Sequence, residues 1–296
     1  TASYNSAFGT KALLANTTGA NNTALGNDSG QANTTGAENT SVGAGSFYYN
    51  TTGGQNTAIG RLALFNNTTA SHNTAVGFDA LKANTTAPFN TAVGDKSLYS
   101  STTGAGNNTA IGHQSLYSTT TGSLNSGIGL NTMHVNTTGV QGTAVGHRSM
   151  FTHTTGTGNT AIGIESANSI TTGSFNTMLG RYTGDSLTTG NYNTHIGNDT
   201  DVSGATVEFT VAIGHGAVDK GTNTGMINPT SGVYQGNNST AWTATSDERI
   251  KKNIVDNTTG LAKINAIKIR SFDYRTIDEI TDFENPKVAV VEVTGT

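Results

Sequence analysis

The sequence predicts an all-β chain built as a parallel β-solenoid (a β-roll) of thirteen 17-residue coils. Three observations lead there. A glycine recurs at residues 9, 26, 43, 60, 77, 94, 112, 129, 146, 163, 180, 197 and 214, with eleven intervals of 17 residues and one of 18. An aliphatic or aromatic residue stands immediately before every one of those glycines, as in Asn56-Thr57-Ala58-Ile59-Gly60. Composition departs from that of an ordinary globule, with 33% hydrophobic and 11% charged residues against roughly 45–50% and about 25% in typical domains. A low-hydrophobicity chain can be disordered, but disorder gives no reason for a fixed period with an apolar residue locked in phase.

Numbering the repeat from its Asn, position 4 is mostly β-branched (Val42, Ile59, Val76, Val93, Ile111), which suits a half-buried strand. Position 3 is small (Ala24, Ala58, Ala75, Ala92) and must point to the opposite face of that strand. We therefore expect position 4 to fill the coil and position 3 to admit a second surface, the contact between protomers. Position 5 is the repeated glycine, as a sharp turn or close backbone contact requires. Position 9 is a second apolar site (Leu13, Phe47, Leu64, Leu81, Met133), predicted to lie on a second short strand. Asn-Thr-Thr-Gly at 16–19, 33–36, 50–53 and 136–139 is a turn signal. The density of Gly, Asn and Thr excludes a helix of any length in these coils. Positions 6 to 8, 10, 11, 16 and 17 vary most and are expected on the exterior. A lone coil buries too little to stand, so neighbouring coils, and neighbouring chains in a homotrimer, are expected to complete it.

The Asn-x-Ala-Ile-Gly motif resembles the head repeats of trimeric autotransporter adhesins, which form a left-handed parallel β-roll in a trimer, and is similar to repeats of bacteriophage tail fibres. The adhesin repeat is shorter than 17 residues, so this likeness implies architecture more than identity.

The pattern decays after Asn193: Asp201 replaces the position 9 aliphatic and Gly214 closes the last copy. We divide the chain into a repeat shaft over 1–227, a polar linker over 228–244 carrying the only tryptophan, Trp242, and a second domain over 245–296. Half of the 34 charged residues lie in 247–296, with Ile and Val in alternation. Thr245 with Glu248 reads as a capping box for a helix beginning near Ser246, and Glu248 with Lys252 as a surface pair one turn apart.

The same stretch, Ser246-Asp247-Glu248-Arg249-Ile250-Lys251, resembles the opening of the C-terminal intramolecular chaperone shared by phage tail fibres, tail spikes and endosialidases, a self-cleaving serine peptidase family. Leu261 to Ile264 and Ile269 to Tyr274 suit its early helix and strand, implying a small α+β fragment. In that family the chaperone drives trimerisation and then cuts just before the serine. Carried over, Ser246 is the nucleophile, Lys251 the general base and Thr245–Ser246 the scissile bond. A serine hydroxyl needs an adjacent base, and a lysine must be desolvated to serve at neutral pH. A pair five residues apart sits about 140° around a regular helix, so Ser246 must lie outside it for the dyad to close. The family domain runs on into further strands and helices, so 245–296 is read as a truncated copy; Thr1 to Tyr4 match the last four positions of a repeat, so a fragment of a longer protein is expected.

Other chemistry finds little support. The net charge of −4 offers no basic surface for nucleic acid. The absence of cysteine removes disulfides and thiolate metal sites. No apolar run reaches the 18 or more residues of a membrane span. No phosphate loop or dinucleotide fingerprint occurs, and no cofactor or metal is expected. His113, His147 and His215 share position 6 in non-adjacent coils and read as surface residues. The Asn-Thr-Thr triplets are also glycosylation sequons, but Ser101, Thr119 and His153 replace the Asn elsewhere, which favours turn formation. The function expected is that of an extracellular, virion-borne phage tail fibre: structural, homotrimeric, with a host glycan or protein as receptor and at most one self-cleavage. A bacterial trimeric surface adhesin head is the alternative, and an ice-binding solenoid a more distant one.

Overall fold

A computed structural model describes residues 2–228. They form one parallel sheet of 14 strands in strict sequence order, from Ser6–Phe8 to Gly225–Ile227, each strand three residues long. Successive strands pair one repeat apart and in register: Thr57, Ala58 and Ile59 meet Thr74, Ala75 and Val76. The 18-residue interval preserves this register, since Thr91 still pairs with Thr109. Its extra residue is Gly104 (φ 79°), which bulges outward and lets Ala105 take the buried place that Ala87 holds one coil earlier. The last coil is shorter, with Val211 opposite Gly225.

The strands are short because both ends are bent by left-handed backbone. Gln55 (φ 59°) precedes one strand and Gly60 (φ 131°) ends it. Gly60 also packs against the next coil, where an added Cβ would lie 2.3 Å from the Gly77 carbonyl oxygen. Conformation and space therefore both demand glycine at position 5. Position 9 does not lie on a second strand as expected. It belongs to a run of turns in which left-handed residues recur at positions 5, 7 and 9, as at Gly60, Leu62 and Leu64. This alternation aims its amides at both neighbours: Leu62 N–H donates back to Ala44 O (3.1 Å) and Leu64 N–H donates forward to Ala80 O (3.0 Å).

The core lies inside the coils and is thin. Position 9 fills it (Phe47, Leu64, Leu81, Leu98, Leu116, Met133 and Met150 are buried), facing Ala58, Ala75, Ala92 and their equivalents. This reverses our expectation for positions 3 and 4: Ala58 is 0% exposed and Ile59 39%. The inward direction is set by position 1. Asn56 is buried, its side-chain amide donating to Ala70 O (2.9 Å) and its backbone N–H to Asn39 Oδ1 (2.9 Å). Alternation along the strand then sends position 3 inward and position 4 outward. Position 8, expected outside, is buried as well (Ala63, Ala80, Ser97, Ser115).

A second column of carboxamides lines the core at position 12. Asn50 Nδ2 donates to Asn33 Oδ1 (2.7 Å) and Gly53 O (3.0 Å), and Asn67 Nδ2 donates to Asn50 Oδ1 (2.9 Å). These asparagines belong to the Asn-Thr-Thr triplets, and their burial leaves no carboxamide for a glycan in the folded coil. The first Thr of each triplet staples coils together, as when Thr51 Oγ1 donates to Thr68 O (3.0 Å). Each polar column thus replaces water inside the coil with bonds along the axis, which buried amides require.

Candidate interaction faces and the chaperone segment

The outer face of the sheet is made of positions 17, 2 and 4. Along one coil Gln55 is exposed, Asn56 buried, Thr57 half-buried, Ala58 buried and Ile59 exposed. Repetition turns this alternation into rows parallel to the axis. Position 4 gives an apolar row that includes Phe8, Leu25, Ile59, Ile111, Ile128 and Leu179, all exposed. Beside it runs the position 2 row, Thr from 23 to 194 apart from Ser126. Position 17 closes the face with a further row whose character changes along the chain. It holds Tyr4, Asn21, Glu38, Gln55 and the stacked pair His72 and Phe89 (4.9 Å) in early coils, and the stacked rings of Phe175, Tyr192 and Phe209 in late ones, with centroids 5.2 and 5.0 Å apart.

A second aromatic ladder stands at position 10, outside the turn run. Tyr99, Tyr117, His134 and Phe151 stack with centroid separations of 5.1, 5.0 and 5.3 Å. The Arg148 guanidinium lies 4.4 Å from the Phe151 centroid and Lys82 Nζ 5.6 Å from that of Tyr99. Coil spacing near 4.8 Å happens to suit ring stacking, so any aromatic repeated in one column stacks on its neighbour. Each inner ring spends both faces on its neighbours and offers mainly edges outward.

The histidines divide by column. His113 and His215 are exposed and His147 half-buried, all at position 6; His113 Nε2 lies 3.9 Å from Asp95 Oδ2. His153 and His195 are buried, and sequence reasoning singled out neither as a titrating group. The sequence carried no signal for either, since only the structure shows columns 12 and 3 to be interior. His153 replaces Asn in the position 12 column. Its Nδ1–H donates to Asn136 Oδ1 (3.1 Å) and its Nε2 accepts from Asn159 Nδ2 (3.2 Å), a neutral arrangement. Burial lowers its pKa to about 4. His195 Nε2 lies 2.9 Å from Thr210 Oγ1 and 3.5 Å from Asp219 Oδ2, and burial also pushes this imidazole down against the pull of Asp219 and Asp201. Burial pushes the Asp219 carboxyl up, but hydrogen bonds from Ser203 and Gly221 outweigh it and hold the group below its ordinary range.

A shallow acidic hollow over the late coils is lined by Glu165, Tyr182, Asp185, Asp199 and Asp201. Burial, with Asp201 and Glu165 nearby, raises the Asp185 carboxyl. Among the described residues no group of three or more His, Asp or Glu side chains is arranged to hold a metal ion, and no helix is long and apolar enough to cross a membrane.

Thr245, Ser246 and Lys251 lie outside the described residues, as do the capping box and the linker after Asn228. Comparison with known proteins bears on them instead. Residues 246–288 match the family model described as the chaperone of endosialidase. No curated protein and no solved structure matches the chain. A parallel β-solenoid whose sequence continues into a segment matching this chaperone model fits a phage tail fibre with a C-terminal chaperone.

Proposed function

We propose that this chain is part of a homotrimeric bacteriophage tail fibre, an extracellular virion component whose solenoid is the shaft (1–227), joined through 228–244 to an assembly chaperone beginning at 245. The observation that carries this is the chaperone match at 246–288, which starts on Ser246 itself. The same match favours a fibre over a bacterial adhesin head. The outward columns 6, 10 and 11 are where a host glycan or protein would be met. Position 8 drops out of that surface because it is buried.

The chaperone releases itself once, in this reading. Ser246 Oγ attacks the Thr245 carbonyl while Lys251 takes the hydroxyl proton. The C–N bond then breaks, the proton passes to the departing Ser246 amine, and an ester links Thr245 to Ser246 Oγ. Water hydrolyses that ester, leaving a Thr245 carboxylate and a free N-terminal Ser246. The test is a denaturing gel of the full-length protein. Wild type is expected as two pieces, with Ser246→Ala and Lys251→Ala each as one. Identical migration of wild type and Ser246→Ala would remove the dyad.

A further inference from the structure

We infer that the outer face of the sheet, centred on the position 4 row, is where the copies of this chain meet, and that they meet parallel and in register. This rests on the trimeric reading above and names the surface that performs it. The exposed large hydrophobics are concentrated here: Ile59, Ile111, Ile128 and Leu179 at position 4, Phe175 and Tyr192 at position 17. A row spanning fourteen strands is about 60 Å long, and at about 10 Å wide it covers on the order of 600 Å². That reaches the upper end of the largest apolar patch on an ordinary monomer and approaches the roughly 800 Å² per partner of a stable interface.

The occupant is a second copy because the row is made of like steps. Each coil presents one apolar side chain at position 4, and only a partner with the same rise matches every rung. Orientation follows from position 17. An antiparallel partner matched over the fourteen strands would set Phe175 and Tyr192 against the coils carrying Gln55 and Glu38, burying a carboxylate beside an aromatic ring. The parallel, in-register partner sets every rung beside its like, ring beside ring and Glu38 beside the polar rungs around it.

The absence of cysteine from the chain makes a direct test available. In the full-length protein, Ile128→Cys and, as a second rung, Val145→Cys place thiols on the row. Thr138→Cys places one on an exposed turn at position 14. A disulfide needs Cβ atoms about 4 Å apart. On mild oxidation the two row variants are expected to run as cross-linked dimers on a non-reducing gel, and Thr138→Cys as a monomer. Co-expression of differently tagged Ile59→Cys and Ile128→Cys chains is expected to give cross-links only between like variants. Light scattering separates the two ways of failing. A trimer in which neither row variant cross-links, or in which Thr138→Cys cross-links as well, overturns the face while leaving the trimer standing. Cross-links between Ile59→Cys and Ile128→Cys overturn the register. A stable monomer overturns the trimeric reading and the face with it.

Discussion

At the residue scale, the interior columns show what a buried side chain does when it departs from the consensus. His153 takes the place of an asparagine and keeps the column connected only as a neutral ring, since a proton on Nε2 would face the Asn159 amide. Its folded pKa of about 4 lies below the 6.5 of an ordinary histidine. The unfolded chain therefore binds the proton more readily, and stability falls as pH drops from 6.5 toward 4. The loss amounts to about 3 kcal/mol in full. His195 shifts in the same direction and adds to the acid side. Denaturant titrations of wild type and His153→Asn at pH 7 and pH 4.5 are expected to show a clearly smaller acid loss in the variant. Equal losses would mean that the imidazole is solvated in the folded chain.

At the scale of a single coil, volume is exchanged across the core between columns that are far apart in the repeat. Where position 9 shrinks to Gly184, position 3 grows to Met178, and a Cβ on Gly184 would lie 2.6 Å from the Met178 sulfur. Ala167 at position 9 is likewise accompanied by Ile170 at position 12, and both are buried. Close packing leaves no other arrangement, because one core cross-section has to be filled at every level. Met178→Ala is expected to cost about 2–5 kcal/mol by opening a cavity. Gly184→Leu alone should also destabilise, by about 1–3 kcal/mol, through overpacking. The double variant should recover most of both losses, because it restores the Ala and Leu pairing of Ala58 with Leu64, and Leu64 already sits at φ 50°. Additive losses in a double-mutant cycle would show that the two columns do not share this space.

For the solenoid as a whole, the unit of structure is the coil and the bonds between coils are alike from end to end. Removing residues 57–73 brings Thr74 to the place of Thr57 without a change of register, since those two residues pair directly. This deletion is expected to fold and to shorten the rod by about 5 Å, as small-angle scattering would read. Removing only residues 57–64 takes out a strand and half a core and is expected to yield insoluble or unfolded protein. A fully folded product from the shorter deletion would contradict a repeat whose register is held by its polar columns.

How much of this was legible beforehand depends on the range of the interaction concerned. Period, strand position, the turn glycine and the buried place of Leu64 follow from spacing and residue type, because a strict repeat can satisfy its backbone only by stacking. The chaperone segment was likewise legible, from the run Ser246 to Lys251 and its neighbours. The sidedness of the strand was not. Ala58 and Ile59 are adjacent, one of them must face in, and hydrophobicity alone favours the larger. The tertiary structure decided the opposite, because the Asn56 and Asn50 columns together with Leu64 already fill the interior. Little room is left at position 3 where position 9 is large: at Gly127 even an added Cβ would lie 2.7 Å from Ser115 Oγ and 3.3 Å from Leu116 Cγ. Left-handed backbone at Leu62 and Leu64 was equally hidden, since neither residue favours it locally and only bonds to the coils on both sides hold it. Spacing and residue type alone make this chain a stack of coils. Which side of that stack is apolar was decided by how little space the coil has inside.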